Sequence, residues 1–155
     1  MPLLAATIAT VAGGLASVVG KSAGATTAEG AGVAAREPAA TRGLAQQIAN
    51  VERVPLNFRR TIALLETKEG PTLVAGGATD LSAAQVQLAK QLGLTPAPPL
   101  PGVHAELTAT TGAAKLNLTP TRGVTTVAIC PECASDIAQQ MGGQITSDYT
   151  FTFLR

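Results

Sequence analysis

Apolar side chains along this chain alternate between two spacings, and each change of spacing marks a new element. Leu44, Ile48 and Val51 recur at helical intervals behind Thr41, a residue able to cap a helix, which predicts a helix from Thr41 to Glu52 stopped by Pro55. Thr61 to Thr67 and Thr72 to Ala75 are short apolar runs divided by Lys68-Glu69-Gly70-Pro71, a turn composition, so the two form a β-hairpin that ends at Gly76 and Gly77. Helical spacing returns at Leu81, Gln85, Leu88 and Leu92, with Asp80 as a cap and Gly93 as the stop. The proline-rich stretch Pro96 to Gly102 is neither helix nor central strand, because proline lacks an N–H and fixes its own backbone. A helix from Val103 to Lys115 follows it. Val124 to Ile129 is β-branched and reads as a strand running directly into Cys130, and a helix from Pro131 to Met141 then ends at Gly142-Gly143. Tyr149, Phe151 and Phe153 alternate with threonines, the period of a half-exposed strand. Strands interleaved with helices in this order make the chain α/β.

The amino-terminal part reads differently. Pro2 to Gly20 carries no charge, but it is built of Ala, Gly, Thr and Val with no preceding Lys or Arg, which fits a small-residue helix or the tail of a preceding domain better than a membrane span or signal peptide. Lys21 to Ala40 is a Gly/Ala/Thr linker. Residues 1–40 are therefore an apolar helix plus linker, and 41–155 one domain, the count expected for a chain of 155 residues. Gly20-Lys21-Ser22 has the ending of a phosphate-binding loop, but the required earlier glycine is Leu15. A net charge of +1 with 14% charged residues provides no basic field for nucleic acid and no acidic tail, so charge does not choose a substrate.

Candidate chemistry is concentrated in two short motifs. The single histidine, His104, and the only two cysteines, Cys130 and Cys133, are the residue types that bind zinc, and a Cys-x-x-Cys pair brings two sulfurs to one ion at a helix start. Two cysteines at that spacing read as a metal or redox pair rather than a disulfide framework. The chain offers no fourth His or Cys, so a closed structural site is not available from one copy. Three protein ligands with one open position is the catalytic form of a zinc site. Glu106, two residues after the histidine, can stand beside the ion and move protons. Two thiolates offset the charge of Zn2+ and acidify its water less than imidazoles would, which makes a nearby base more necessary. Pro131 suits the first turn of a helix, whose N-terminus favours anionic sulfur.

His-Ala-Glu followed by Cys-Pro-Glu-Cys resembles the zinc deaminase superfamily, in which the metal activates water for attack on C4 of cytosine or C6 of adenine and the glutamate is general acid and base. The resemblance spans roughly Thr41 to Arg155 and is specific only in the two motifs. It implies an α/β/α sandwich with a mixed sheet of about four to five strands and metal ligands at the starts of two adjacent helices. The family usually has proline before its first cysteine, whereas Ile129 stands there and Pro131 follows. Cys-Pro-x-Cys looks like the divergent deaminases that form C-terminal modules of bacterial polymorphic toxins. That subgroup implies conversion of cytosine to uracil in DNA, single- or double-stranded, with DNA preferred over RNA. It also implies delivery or secretion into a target-cell cytoplasm, a cognate immunity protein, and no membrane span in the catalytic domain.

Other readings stand beside this one. His104 alone would be an ordinary histidine and Cys-x-x-Cys alone a redox pair, and their joint occurrence with Glu106 is what favours a metal. Asn57, Arg59 and Arg60, just before the first strand, can contact ribose or phosphate, although surface solvation is the favoured explanation for them. Glu132 reads as a solvated first-turn residue, and Tyr149, Phe151 and Phe153 as core rather than a base-stacking platform. The alternative functions are a deaminase of free nucleosides or nucleotides, and a zinc-binding interaction module whose fourth ligand comes from a second chain.

Overall fold

Six consecutive buried residues, Ile62–Thr67, form the strand β1 on which the rest is assembled. The structure is a computed structural model and describes residues 36–55 and 59–154. Around β1 lie α1 (Pro38–Asn50), β2 (Thr72–Gly76), α2 (Ala83–Gln91), β3 (Thr95–Pro96), α3 (Ala105–Lys115), β4 (Pro120–Thr125), α4 (Pro131–Gln139), β5 (Gly143–Ser147) and β6 (Thr150–Phe153). The sheet is six-stranded in the order β3-β2-β1-β4-β6-β5. Among the described residues its only parallel pair is β2 with β3, and the others are antiparallel, so the sheet is mixed.

Both faces of β1 are covered, which is why its sequence reads as a continuous apolar run rather than an alternation. Ile62 and Leu64, with Val74 and Val124, pack on Ala45, Ile48 and Ala49 of α1 and Ala89 of α2. Leu65, with Leu73 and Ala75, packs with Ala109 and Ala113 of α3, Ile137 of α4 and the rings of Phe151 and Phe153. The architecture is the expected α/β sandwich. Small residues on the inner side of α3 let it lie close to the sheet.

Several boundaries differ from the sequence expectation, each for a local reason. Helix α1 starts at Pro38, a residue suited to a first turn, and not at Thr41. The Thr41 hydroxyl instead donates to Glu66 Oε1 at 3.2 Å. Glu66 is also paired with Arg122 at 2.9 Å, so a buried polar cluster ties α1 to the sheet. Helix α2 is capped by Ser82 through a reciprocal box with Gln85, not by Asp80. Strand β4 ends at Thr125, well before Cys130: the Thr126 N–H still donates to the Ile62 carbonyl at 3.0 Å, where β1 begins, and β1 offers nothing to pair with beyond it. Two strands were not foreseen. β3 includes Pro96, which an edge strand tolerates, and β5 pairs with β6, leaving Tyr149 in the turn between them. Among the described residues no helix is long and apolar enough to cross a membrane. The expected helix and most of the linker in residues 1–40 lie outside the described residues.

Gly123 of β4 faces the ring of Phe151, and a methyl built on it would fall 2.0 Å from Phe151 Cζ. Phe151 is fully buried and packs edge-on to Phe153 at 5.8 Å, so its ring cannot retreat cheaply. Gly123→Ala is therefore expected to destabilise the fold by about 3 kcal/mol in urea denaturation. Adding Phe151→Leu to it should cost less than the sum of the two single changes, because both act on one overpacked contact.

Candidate metal centre and adjoining cleft

The ends of α3 and α4 that carry the two motifs lie together at one end of the sheet. His104 is the N-cap residue of α3, and Cys130 is the N-cap residue of α4. The Cys133 N–H donates to Cys130 Sγ at 3.1 Å, so the sulfur takes the place of an oxygen cap. Pro131 occupies the first turn, where the missing N–H costs nothing. Both motifs thus have a local structural reason to place their ligands at helix starts, where the backbone dipoles favour negative charge.

His104 Nδ1 lies 3.5 Å from Cys130 Sγ and 3.1 Å from Cys133 Sγ. All ligand atoms of the three residues fall within 4.8 Å of one another, a group able to hold a metal ion. Tetrahedral zinc with ordinary Zn–N and Zn–S bonds separates such atoms by about 3.5 Å, close to the spacing of this group. Cys133 is buried, Cys130 half-buried and His104 exposed, which leaves the cluster open on the histidine side. Burial is the main cause that pushes the Cys133 thiol well above its ordinary range, with the hydrogen bond to Cys130 and the charge of Glu106 acting in the same direction. A thiolate here therefore depends on a positive charge beside it, which a metal ion would provide.

A cleft of about 520 Å³ opens beside the cluster, within the range of small-molecule sites. His104, Glu106 and Cys130 line it. Glu106, on the first turn of α3, is only 3% exposed. Burial raises its pKa above the ordinary carboxylate value, offset in part by its own backbone N–H and by the charge of His104. A buried carboxyl whose pKa is raised above that of a free carboxylate is suited to proton transfer.

The residues expected near phosphate are placed as follows. Arg59 and Arg60 line the same cleft. Arg59 donates to Asn50 Oδ1 at 2.5 Å and to the Val54 carbonyl at 3.3 Å. Arg60 donates to Gln85 Oε1 at 3.1 Å and pairs with Glu52 at 3.5 Å. Asn57 lies outside the described residues. Glu132 is exposed, and Phe151 and Phe153 are buried core. Tyr149 is half-buried under the Arg42 guanidinium, 3.7 Å from the ring centroid. Gly77, Ala78, Thr79 and Val127, which the sequence did not single out, also line the cleft. Their only sequence signal is the Gly76-Gly77 pair, which marks a strand end without saying what it faces.

Comparison of the chain with protein-family models, curated proteins and solved structures finds no match. The fold and the site therefore define the protein as far as an α/β sandwich with a His/Cys/Cys group able to hold a metal beside an open cleft.

Proposed function

We propose that this protein is a zinc-dependent nucleobase deaminase, converting cytosine to uracil with release of ammonia, and that DNA is its substrate. The observation that carries the reading is the buried Glu106 at the rim of a cluster that, among the described residues, gathers three ligands and no fourth. His104, Cys130 and Cys133 would hold zinc, which when bound supplies Lewis acidity and an acidified water. Glu106 would carry one proton from the attacking water to the ring nitrogen and a second, from the hydroxyl that the attack leaves on the ring carbon, to the departing amine. Overall one water is consumed, the C4–N bond breaks, and ammonia leaves. The N-termini of α3 and α4 favour the anionic groups gathered there. Arg59 and Arg60, on the same cleft, supply the cationic side that a phosphate ester needs.

The Cys-Pro-x-Cys order supports the toxin-type subgroup, with action in a target cell and an immunity protein that covers the cleft. A second reading, deamination of a free nucleotide, draws support from the cleft's size, which suits a single nucleotide.

Incubation with single-stranded DNA, duplex DNA, RNA and free cytidine, followed by mass analysis of the bases, separates these readings. Uracil is expected in DNA, in single strands at least as fast as in duplex, because only an unstacked base can enter the cleft. The rate should fall as salt rises, and more steeply in wild type than in Arg59→Ala/Arg60→Ala. Turnover of free cytidine alone would transfer the assignment to a metabolite enzyme.

A further inference from the structure

One wall of the cleft is built from backbone. Gly77, Ala78 and Thr79 line it next to His104 and Glu106. After β2 the chain doubles back so tightly that a methyl on Gly76 would lie 2.8 Å from the Asp80 carbonyl carbon. Ala78 and Asp80 both adopt left-handed backbone, with φ of 52° and 60°. That conformation is unfavourable for alanine and persists only where its surroundings impose it.

The surroundings are specific. Asp80 Oδ1 accepts the Leu100 N–H at 2.9 Å. The Ala78 N–H donates to Val103 at 2.9 Å, the Gly102 N–H donates to Ala78 at 2.6 Å, and the Gly77 N–H donates to Thr61 at 2.9 Å. The loop is thus fastened on one side to the entry of β1 and on the other to the segment that delivers His104.

Gly77 itself is not left-handed, so its backbone does not require glycine. A methyl there would sit 3.6 Å from Thr61 Cβ and 3.7 Å from Ala105 N, ordinary contacts that strain nothing. It would fill the notch between Thr61 and the start of α3, one residue from Glu106. We infer that Gly77 is a specificity-determining residue whose missing side chain leaves room for the flat ring of a pyrimidine nucleotide, and that Asp80 is the positioning residue that holds this wall. The identity of the ring rests on the deaminase reading, while the wall rests on geometry alone.

Full-length protein loaded with Co2+ tests the inference, using deoxycytidine monophosphate and a single-stranded deoxycytidine oligonucleotide as probes. Gly77→Ala should weaken binding of both by about tenfold or more, the usual effect of one methyl group in a fitted site. Its cobalt content and ligand-free visible spectrum should match wild type. Asp80→Ala should weaken both probes comparably. Asp80→Asn should largely restore binding, because its amide oxygen can accept the same N–H and asparagine tolerates left-handed backbone. Unchanged affinity in Gly77→Ala, an altered ligand-free spectrum in that variant, or failure of wild type to bind either probe would overturn the inference. Binding of the monophosphate with the expected loss in Gly77→Ala, but no conversion by wild type, would sink the deaminase reading and leave the wall standing.

Discussion

Replacing Glu106 with alanine is expected to lower turnover by about a thousandfold while metal content and fold persist, within the range a positioned general acid and base contributes. That factor corresponds to about 4 kcal/mol of transition-state stabilisation. The fold should survive because alanine is the best helix former and α3 already packs through Ala105, Ala109 and Ala113. Removing a carboxyl that is only 3% exposed also relieves a desolvation cost, so stability should be unchanged or slightly higher. Glu106→Gln keeps the shape and loses the proton carrier, and it should be nearly as inactive. Assay of both variants beside zinc analysis and thermal denaturation checks the assignment. A Glu106→Ala protein with near-normal rates would remove Glu106 from the mechanism, whereas loss of metal in that variant would make it a ligand.

Local motifs were legible in the sequence because their chemistry is local. Cys130 caps its own helix and bonds Cys133 three residues on, so Cys-Pro-Glu-Cys contains most of what orients it. His104 occupies the N-cap position of α3 without a side-chain cap bond, and the proline-rich stretch before it announced that a helix could begin only afterwards. The β1–β2 hairpin was equally readable from its turn. Elements defined by pairing were not. Whether Thr126 to Ile129 extends β4 depends on where β1 begins, and whether Gly143–Ser147 is a strand depends on β6 standing beside it. The Gly77–Thr79 wall lay beyond reach for the same reason, since its shape is set by bonds to Thr61, Leu100, Gly102 and Val103.

One zinc per chain is the expected stoichiometry, and its loss should follow from either cysteine. Cys133 is the more informative choice, because it is 1% exposed and lies 3.1 Å from His104 Nδ1, at the inner side of the cluster. Cys133→Ala leaves one sulfur and one imidazole, too few to retain zinc against a chelator, and activity should vanish with the metal. Its helix should still form, since Cys130 Sγ can accept the same backbone N–H. Stability should nonetheless fall. An ion that binds only the folded chain contributes about 2.7 kcal/mol at a hundredfold excess over its dissociation constant, and that contribution disappears in the variant. A chelator should accordingly lower the melting temperature of wild type and leave Cys133→Ala unmoved. In the cobalt-loaded wild type, thiolate charge-transfer bands should report two sulfurs, with the remaining position open to added anions. One metal per two chains, or a ligand shell already filled by protein groups, would replace catalysis with assembly: His104, exposed at the edge of the cluster, would then mark where a second chain completes the site.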